Sequence, residues 1–364
     1  MEIMVDNYQL SIYKGKRVFV TGHTGFKGSW LINVLHKIGA TVCGYALAPN
    51  TSPNHISLLN LPIESHIGDL LDSNFLKKSI QDFQPEIVFH LAAQALVRDS
   101  YENPVRTYES NVIGTLNVLE AIRACSSVKA VVLITTDKVY ENKEWDFPYR
   151  ETDELGGYDM YSSSKACCEV LIKSYRNSFF NIENYPHKHQ VLLSSVRAGN
   201  VIGGGDWSKD RLIPDIVKAT SKGEKVEIRN PLAIRPWQHV LDCIYGYLLL
   251  GSKLLEQKKE FADAWNFAPY SYEAKTVQEV ANISQKIWNK INIQFGVPPN
   301  NYHEAGLLKL DNSKTITKLQ WKPTWNTETA IEKTIDWYKV FYEKNDINTE
   351  ENITEFLSLQ KEKI

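Results

Sequence analysis

The chain has 364 residues, of which 43% are hydrophobic and 23% charged, with a formal net charge of -2. This composition is typical of a soluble globular protein long enough for two domains, and it argues against nucleic acid as the main partner. The longest apolar runs fall well short of the roughly 18 residues of a membrane span, so we expect no membrane partner and no signal peptide. Five scattered cysteines without a C-x-x-C pair predict a reduced, cytoplasmic protein without a metal site.

A strand, a glycine-rich turn and a helix follow a lead-in arm of residues 1–15. The apolar residues 18–20 predict a buried strand, an apolar period from Ser29 predicts a helix, and glycines 22, 25 and 28 lie between them. Glycine allows a sharp turn and the close approach of a ligand, and the start of a helix attracts phosphate. The spacing G-x-x-G-x-x-G alone also fits an ordinary turn. In this order of elements, however, it predicts a dinucleotide site.

The second predicted strand, residues 41–47, bears on which dinucleotide binds. No acid follows this strand until Glu64, and no arginine lies near residues 45–55 to receive a 2′-phosphate. We therefore expect NAD rather than NADP. Lys27, in the glycine turn, can meet the pyrophosphate as a point charge. The alternative is that Lys27 and His23 both point to solvent.

Three more apolar runs, residues 65–70, 86–93 and 130–134, alternate with expected helices at 74–83 and 103–125. Near-continuous apolar strands between helices predict an α/β fold with a parallel sheet covered on both faces. Ligands of such a sheet bind at the carboxyl ends of the strands.

One acid in this region is a candidate for the cofactor site. Asp69, near the end of the third predicted strand, is a candidate acceptor for the adenine amine. Its alternative role as a helix N-cap fits Asp72 better.

Beyond residue 195 the pattern alternates between loops and helices, with helices expected at 240–255, 278–289 and 327–342. The last fifteen residues are polar and predict either a frayed end or a short helix.

The fifth apolar run ends in four reactive side chains, Thr135-Thr136-Asp137-Lys138, and the following helix contains Tyr161 and Lys165. A spacing of four puts Tyr161 and Lys165 on one helical face. A nearby ammonium and a positive nicotinamide ring favour the phenolate, which can take a proton from a sugar hydroxyl as hydride leaves. A Tyr-x-x-x-Lys pattern alone also fits a solvated helix face. With the strand-end threonine and the glycine turn, it predicts a redox active site.

These motifs resemble those of the extended short-chain dehydrogenase/reductase superfamily, over about residues 15–340. The motifs that carry the resemblance are TGHTGFKG at 21–28, HLAAQ at 90–94, TTDK at 135–138 and YSSSK at 161–165. The stretches that resemble nucleotide-sugar 4,6-dehydratases are 197–207, 211–215 and 234–240. Lys138 stands where relatives acting on dTDP-glucose or GDP-mannose carry glutamate. Together with YALAP at 45–49, it is similar to the family members that act on CDP-glucose.

The resemblance implies a Rossmann-type doubly wound parallel sheet in residues 1–195. It implies a smaller mixed substrate lobe in 196–364, with about 235–255 packing back on the first domain. NAD is the implied cofactor, CDP-glucose the implied substrate, and a homodimer or higher homo-oligomer the implied assembly. The implied reaction oxidises carbon 4 of the sugar, eliminates water across carbons 5 and 6, and returns hydride to carbon 6 in deoxysugar biosynthesis. The alternatives are a 4-epimerase, a 4,6-dehydratase of dTDP-glucose or GDP-mannose, and a non-catalytic NAD-binding protein.

The same resemblance implies roles for individual residues. Tyr161, with Lys165, takes the proton of the 4-hydroxyl, Thr136 orients that hydroxyl, and Asp137 is the general acid. Lys138 is either the base at carbon 5 or a cation that leaves this proton to Tyr161. The expected cofactor contacts are Thr21, Gly22, Thr24, Gly25, Phe26, Lys27, Asp69, Leu70, Leu91, Ala92, Ala93, Thr135, Tyr161 and Lys165. The expected substrate contacts are Gln94, Arg98, Asn200, Arg211, Arg235 and His303.

Overall fold

The computed structural model describes residues 8–228, 230–296 and 306–361 of the chain. The strands are β1 (Arg17–Thr21), β2 (Thr41–Ala46), β3 (Glu64–Ile67), β4 (Ile87–His90), β5 (Ala130–Ile134), β6 (Leu192–Ala198), β7 (Val201–Ile202), β8 (Lys225–Ile228), β9 (Ile234–Arg235), β10 (Gln238–His239), β11 (Ala264–Phe267), β12 (Lys275–Thr276) and β13 (Asn292–Phe295). The helices are α1 (Phe26–Lys37), α2 (His55–Leu59), α3 (Ser73–Phe83), α4 (Val97–Glu102), α5 (Pro104–Tyr108), α6 (Gly114–Arg123), α7 (Met160–Ser178), α8 (Leu212–Ser221), α9 (Val240–Leu255), α10 (Val277–Ile287), α11 (Thr327–Lys344) and α12 (Thr349–Lys361).

Seven parallel strands form the central sheet, in the order β11-β6-β5-β4-β1-β2-β3. The order reverses between β1 and β4, which is the switch point where such sheets bind ligands. Alternate residues of β1 enter separate cores: Val18 and Val20 pack on one face, and Phe19 packs on the other. The predicted α/β doubly wound fold is therefore confirmed, because the sheet is buried on both faces.

The second half of the chain contributes both to this sheet and to the three small two-stranded sheets, β7 with β10, β9 with β12 and β8 with β13. Residue 195 lies inside β6, and β11 extends the same sheet. The apolar α9 packs against β5 and β6. The division of the chain into a cofactor domain and a substrate lobe at residue 195 remains a prediction.

Several predicted helix bounds differ from the structure. Helix α1 begins at Phe26 rather than Ser29, so Gly28 lies in its first turn. The helix predicted over 103–125 is interrupted by a π-helical turn at Glu109–Ile113. The short helices α2 and α4 were not predicted, because neither is long enough to establish an apolar period.

Of the two structures considered for the C-terminal segment, residues 349–361 form the helix. Helix α12 runs from Thr349 to Lys361, and its Ile353, Phe356 and Leu357 are buried in the core that covers one face of the sheet. The spacing of these three side chains puts them on one helical face. Among the described residues, no helix combines the length and the hydropathy needed to cross a membrane.

Candidate active site

The glycine turn at the switch point is held by close backbone contacts. Gly22 has φ +77°, in the region that favours glycine, and its N–H donates to the carbonyl of Tyr45 at 2.8 Å. A Cβ atom on Gly28 would lie only 2.0 Å from the carbonyl oxygen of Gly22. Gly28 therefore allows the first turn of α1 to pack directly on the end of β1.

The first turn of α1 is open to an anion. Its N-cap residue, Gly25, provides no capping side chain, and the turn contains no acidic residue. The first N–H groups of a helix lack partners within the helix, and the helix dipole places positive charge there. The turn thus fits the pyrophosphate of a dinucleotide, as the sequence predicts.

The two basic side chains of the turn do not simply point to solvent. His23 is 1% exposed, and its Nε2 lies 2.7 Å from Ser65 Oγ. Lys27 is half-buried and lines a cavity together with Thr136, Asp137 and Tyr161. Burial lowers the pKa of Lys27, and the charges of Arg211, Asp137 and Lys165 also act on its ammonium. The side chain of Lys27 therefore lies beside the predicted catalytic residues.

Hydrogen bonds connect the ends of β1 and β4. Thr21 Oγ1 lies 2.7 Å from His90 Nδ1 and accepts from the N–H of Ala92 at 3.2 Å. Thr24 Oγ1 donates to the carbonyl of Leu47 at 2.8 Å. These contacts fix the turn against the strand ends where Leu91, Ala92 and Ala93 follow β4.

Asp69 has partners within the protein. Its Oδ2 accepts from Arg106 at 2.6 Å, and its Oδ1 accepts from the N–H of Leu71 at 3.0 Å. Asp72, as predicted, caps α3 by accepting from the N–H of Phe75 at 3.0 Å. An adenine amine would share the Asp69 carboxylate with Arg106. Leu70, the next predicted contact, is 7% exposed.

A cavity of ≈ 390 Å³ opens at the carboxyl end of the sheet. It brings together predicted residues from seven separate segments of the chain. These are Phe26, Lys27, Arg98, Thr135, Thr136, Asp137, Lys138, Tyr161, Asn200, Arg211 and Arg235.

Tyr161 and Lys165 lie one helical turn apart in α7. The Lys165 ammonium donates to the carbonyl of Ile134 at 3.1 Å and is buried, which lowers its pKa. Burial raises the pKa of Tyr161 to about 12, a hydrogen bond with Thr136 opposes this rise, and the charge of Asp137 adds to it. Among the chain's own groups, desolvation disfavours the phenolate, so the pKa of Tyr161 is raised rather than lowered as predicted.

Asp137 and Lys138 form a close pair beside Thr136. Asp137 Oδ1 accepts from Thr136 Oγ1 at 2.9 Å and from Lys138 Nζ at 3.4 Å. Asp137 is 1% exposed, whereas the Lys138 side chain is 30% exposed. Acid and amine are therefore adjacent at the cavity wall.

Two buried oxygens on this cavity have no hydrogen-bond partner within the described part of the chain. They are Oδ2 of Asp137 and Oδ1 of Asn200. A Cβ on Gly199 would lie 3.1 Å from Asp137 Oδ2, so the segment that carries Asn200 lies directly against the acid. Buried acceptors usually have partners, and a ligand with several hydroxyl groups would supply them.

Three predicted arginines reach the same cavity, and two of them form ion pairs. Arg98 contacts Asp210 and Arg211 contacts Asp206, each at 2.8 Å. The Arg235 guanidinium donates to the carbonyl oxygens of Ile234 and Gly306, at 2.9 and 3.2 Å. These contacts hold the Arg235 guanidinium at the cavity.

One predicted substrate contact, Gln94, does not line the cavity. The side-chain amide of Gln94 donates to the carbonyl of Leu96 and to Thr107 Oγ1, both at 3.0 Å, and its oxygen accepts from the N–H of Leu96. Gln94 thus holds its own loop, and the structure does not place it on the cavity wall. His303 lies outside the described residues.

Sequence reasoning missed a buried ion pair behind the site, between Glu169 on α7 and Arg197 on β6, at 2.8 Å. The spacing of four between Lys165 and Glu169 was the available signal. The partner was not detectable, because only the fold brings Arg197 alongside.

One group of potential metal ligands occurs among the described residues, away from the cavity lining. It consists of Cys43, Glu64 and His66 on β2 and β3. His66 Nε2 lies 2.8 Å from Glu64 Oε1, so these two side chains already form a pair.

Comparison with known proteins agrees with this geometry. The family model described as GDP-mannose 4,6 dehydratase matches residues 19–334. A CDP-glucose 4,6-dehydratase of Salmonella typhimurium is 48% identical over 96% of this chain and 98% of its own length. A UDP-glucose 4-epimerase of Mycoplasma pneumoniae is 25% identical over 90% and 98%.

Solved structures share the fold. An epimerase from Methanothermobacter thermautotrophicus superimposes with a TM-score of 0.80 at 24% identity, over 94% of this chain and 97% of that one. A dTDP-glucose 4,6-dehydratase of Bacillus anthracis, in complex with NAD, gives 0.73 at 21% identity, over 89% and 97%.

Proposed function

Since this chain belongs to the GDP-mannose 4,6 dehydratase family, within the extended short-chain dehydrogenase/reductase superfamily, we propose that it converts CDP-D-glucose to CDP-4-keto-6-deoxy-D-glucose and water. The enzyme is then a hydro-lyase that uses NAD catalytically. The glycine turn and the open first turn of α1 would hold the pyrophosphate. When bound, NAD supplies the hydride acceptor and donor, and a positive charge that favours the phenolate of Tyr161.

The observation that carries this proposal is the convergence of two sets of groups on one cavity. Tyr161, Lys165 and Thr136 suffice to move a proton at carbon 4, which is all that an epimerase needs from its side chains. Asp137 and Lys138 add an acid and an amine, 3.4 Å apart. An elimination of water needs both an acid and a base beyond the oxidation step.

The contact between Lys138 and Asp137 places a candidate base beside a candidate acid. The pair places an amine and a carboxyl group 3.4 Å apart at the cavity wall, so that one can serve as base and the other as acid. The amine can then take the proton of carbon 5, and the acid can protonate the leaving hydroxyl of carbon 6. We therefore assign the carbon-5 base to Lys138 rather than to Tyr161.

Replacing Lys138 by Met tests this assignment. We expect incorporation of solvent deuterium at carbon 5 to fall by roughly 100-fold, while the absorbance of reduced nicotinamide still develops. Exchange close to that of the unchanged protein would assign this proton to Tyr161 instead.

At the other end of the cavity, Arg235 is the proposed anchor for the diphosphate. Its guanidinium is held at the cavity by contacts with the carbonyl oxygens of Ile234 and Gly306, and its planar cation suits a phosphate. Arg98 and Arg211 would contribute while sharing their charge with Asp210 and Asp206. The hydroxyl groups of the sugar would satisfy the buried oxygens of Asp137 and Asn200.

A homodimer is the proposed assembly, and four exposed apolar side chains support it. Val105, Ile113, Met160 and Val170 are 70%, 45%, 37% and 59% exposed on the segments α5 to α7. Light scattering of a Val105→Glu, Val170→Glu variant tests the proposal. We expect the unchanged protein to be a dimer and the variant to be a monomer. If both are monomers, the proposed homodimer is wrong.

The cytoplasm is the proposed cellular setting. All five cysteines are free thiols, which is consistent with the cytoplasm. A deoxysugar pathway that supplies lipopolysaccharide O-antigen is the proposed destination of the product. Fractionation of the cells that make the protein would test the first point, since recovery outside the cytoplasm would contradict it.

The direct test of the activity supplies NAD with CDP-glucose, dTDP-glucose or GDP-mannose and identifies the product by NMR. We expect a 4-keto-6-deoxy sugar from CDP-glucose. If only dTDP-glucose or GDP-mannose is converted, CDP-glucose is not the substrate, but the protein is still a 4,6-dehydratase. A carbon-4 epimer with carbon 6 untouched would remove the dehydratase assignment.

A further inference from the structure

The Glu169–Arg197 ion pair is buried directly behind the catalytic residues. The two side chains are at most 4% exposed, and their charged groups lie 2.8 Å apart. A buried ion pair is costly unless its remaining hydrogen-bonding capacity is used well, and it adds little stability by itself. The other partners of this pair therefore indicate what it does.

Glu169 holds the beginning of the segment from Thr135 to Tyr140, here called the catalytic turn. Thr135 Oγ1 donates to Glu169 Oε1 at 2.5 Å, and Ser195 Oγ donates to Oε2 at 2.8 Å. Burial alone would raise the pKa of Glu169. The charge of Arg197 and these hydrogen bonds outweigh burial, so the pKa lies below its usual value and the group is a carboxylate.

Arg197 holds the end of the catalytic turn. Its guanidinium donates to the hydroxyl oxygen of Tyr140 at 2.8 Å and lies 5.0 Å from the centre of the Tyr140 ring. The Tyr140 hydroxyl in turn donates to Asn266 Oδ1 at 2.7 Å. One ion pair thus contacts both ends of the catalytic turn.

The residues between those two ends depend on them for orientation. Within the described residues, the side-chain hydrogen bonds of Asp137 and Lys138 go to Thr136 and to each other. Tyr161 and Lys165, in contrast, are fixed by the regular helix α7. Loosening one end of the turn should therefore move Asp137 and Lys138 more than Tyr161.

We propose that the Glu169–Arg197 pair positions the catalytic turn for the elimination step, by holding Thr135 at one end and Tyr140 at the other. This inference rests on the proposed function. Neither residue of the pair touches the cavity, so both are positioning residues that act through Asp137 and Lys138. The pair should affect elimination more strongly than the oxidation of carbon 4.

Tyr140→Phe is the least disruptive test, because it removes only the hydroxyl that Arg197 contacts and keeps the ring, which stacks on Tyr149 at 5.2 Å. Tyr13→Phe is the matched control. Tyr13 is also buried, and its hydroxyl donates to the carbonyl of Leu248 at 2.7 Å, outside the catalytic turn and its partners. Both variants should lose thermal stability.

Only Tyr140→Phe should change the chemistry. We expect kcat to fall about 10- to 100-fold while reduced nicotinamide accumulates during turnover, because oxidation continues and elimination lags. Glu169→Gln, which removes the charge of the pair, should show the same signature if it folds. If it does not fold, Tyr140→Phe decides alone.

Two results would overturn the proposal. One is an unchanged kcat in Tyr140→Phe, and the other is a lower kcat without accumulation of reduced nicotinamide. Failure of the proposed function is distinguishable, because the unchanged protein would then give no 4-keto-6-deoxy product at all.

Discussion

The glycine turn and the catalytic turn meet at the same edge of the sheet but are built in opposite ways. The glycine turn works through backbone groups: Gly28 packs on the carbonyl of Gly22, and α1 begins without a capping side chain. The catalytic turn works through side chains, with Asp137 Oδ1 accepting from Thr136 and Lys138. We therefore expect added atoms to disrupt the glycine turn and removed atoms to disrupt the catalytic turn.

The largest effect should come from removing the oxygen of Tyr161. Tyr161→Phe lacks the proposed base, so product formation should fall by roughly 1,000-fold or more. NAD binding, followed by fluorescence titration, should change little, because the glycine turn is intact. A rate within tenfold of the unchanged protein would contradict the role of Tyr161.

The glycine turn should also carry a pH-dependent weakness, through the buried His23. Burial lowers the pKa of His23 from 6.5 to about 4 in the folded protein. Between these values the unfolded chain binds a proton that the folded chain does not, so stability falls as pH falls from 6.5 towards 4. His23→Gln should remove up to about 3 kcal/mol of this loss, at roughly 1.4 kcal/mol for each pKa unit.

Denaturant unfolding at a series of pH values checks this prediction. His36→Gln, on the exposed part of α1, is the matched control for the substitution itself. The same change in pH dependence in both variants would contradict the assignment to His23.

A smaller effect is expected from adding one methyl group to the glycine turn. Gly28→Ala would bring a Cβ within 2.0 Å of Gly22 O and should lower the free energy of unfolding by about 2 kcal/mol. It should also weaken NAD binding, because the turn must shift. In Gly25→Ala the new Cβ would lie 3.4 Å from Gly22 O, an ordinary contact.

The comparison of these two alanine variants separates packing from ligand approach. Gly25→Ala should keep the stability of the cofactor-free protein and lose only affinity for NAD, in calorimetric titration and thermal unfolding. Equal stability losses in the two variants would show that the close contact at Gly28 is not what holds the turn.

The sequence predicts the sheet well, and it predicts several of the side chains that the cavity brings together, for physical reasons. Parallel strands buried on both faces are continuous apolar runs, as in β5, and the spacing of Tyr161 and Lys165 follows from the helical period. Contacts between side chains that are far apart in the sequence could not be predicted in this way. Glu169 and Arg197 are 28 positions apart, and nothing in their local sequence pairs them.

The structure also differs from the sequence-based prediction at Gln94, and it decides between the two structures considered for the C-terminus. Gln94 belongs to a motif, yet its amide is used by its own loop. The alternative of a frayed C-terminus did not take account of Ile353, Phe356 and Leu357. These side chains give α12 an apolar face against the core. That periodicity is present in the sequence and could have been recognised.

The measurement that tests the central claim most directly uses CDP-glucose deuterated at carbon 4, with catalytic NAD, followed by NMR. The account predicts deuterium at carbon 6 of a 4-keto-6-deoxy product, because hydride leaves carbon 4 and returns at carbon 6 within one active site. Deuterium retained at carbon 4 of an epimerised sugar, with carbon 6 unchanged, would contradict it.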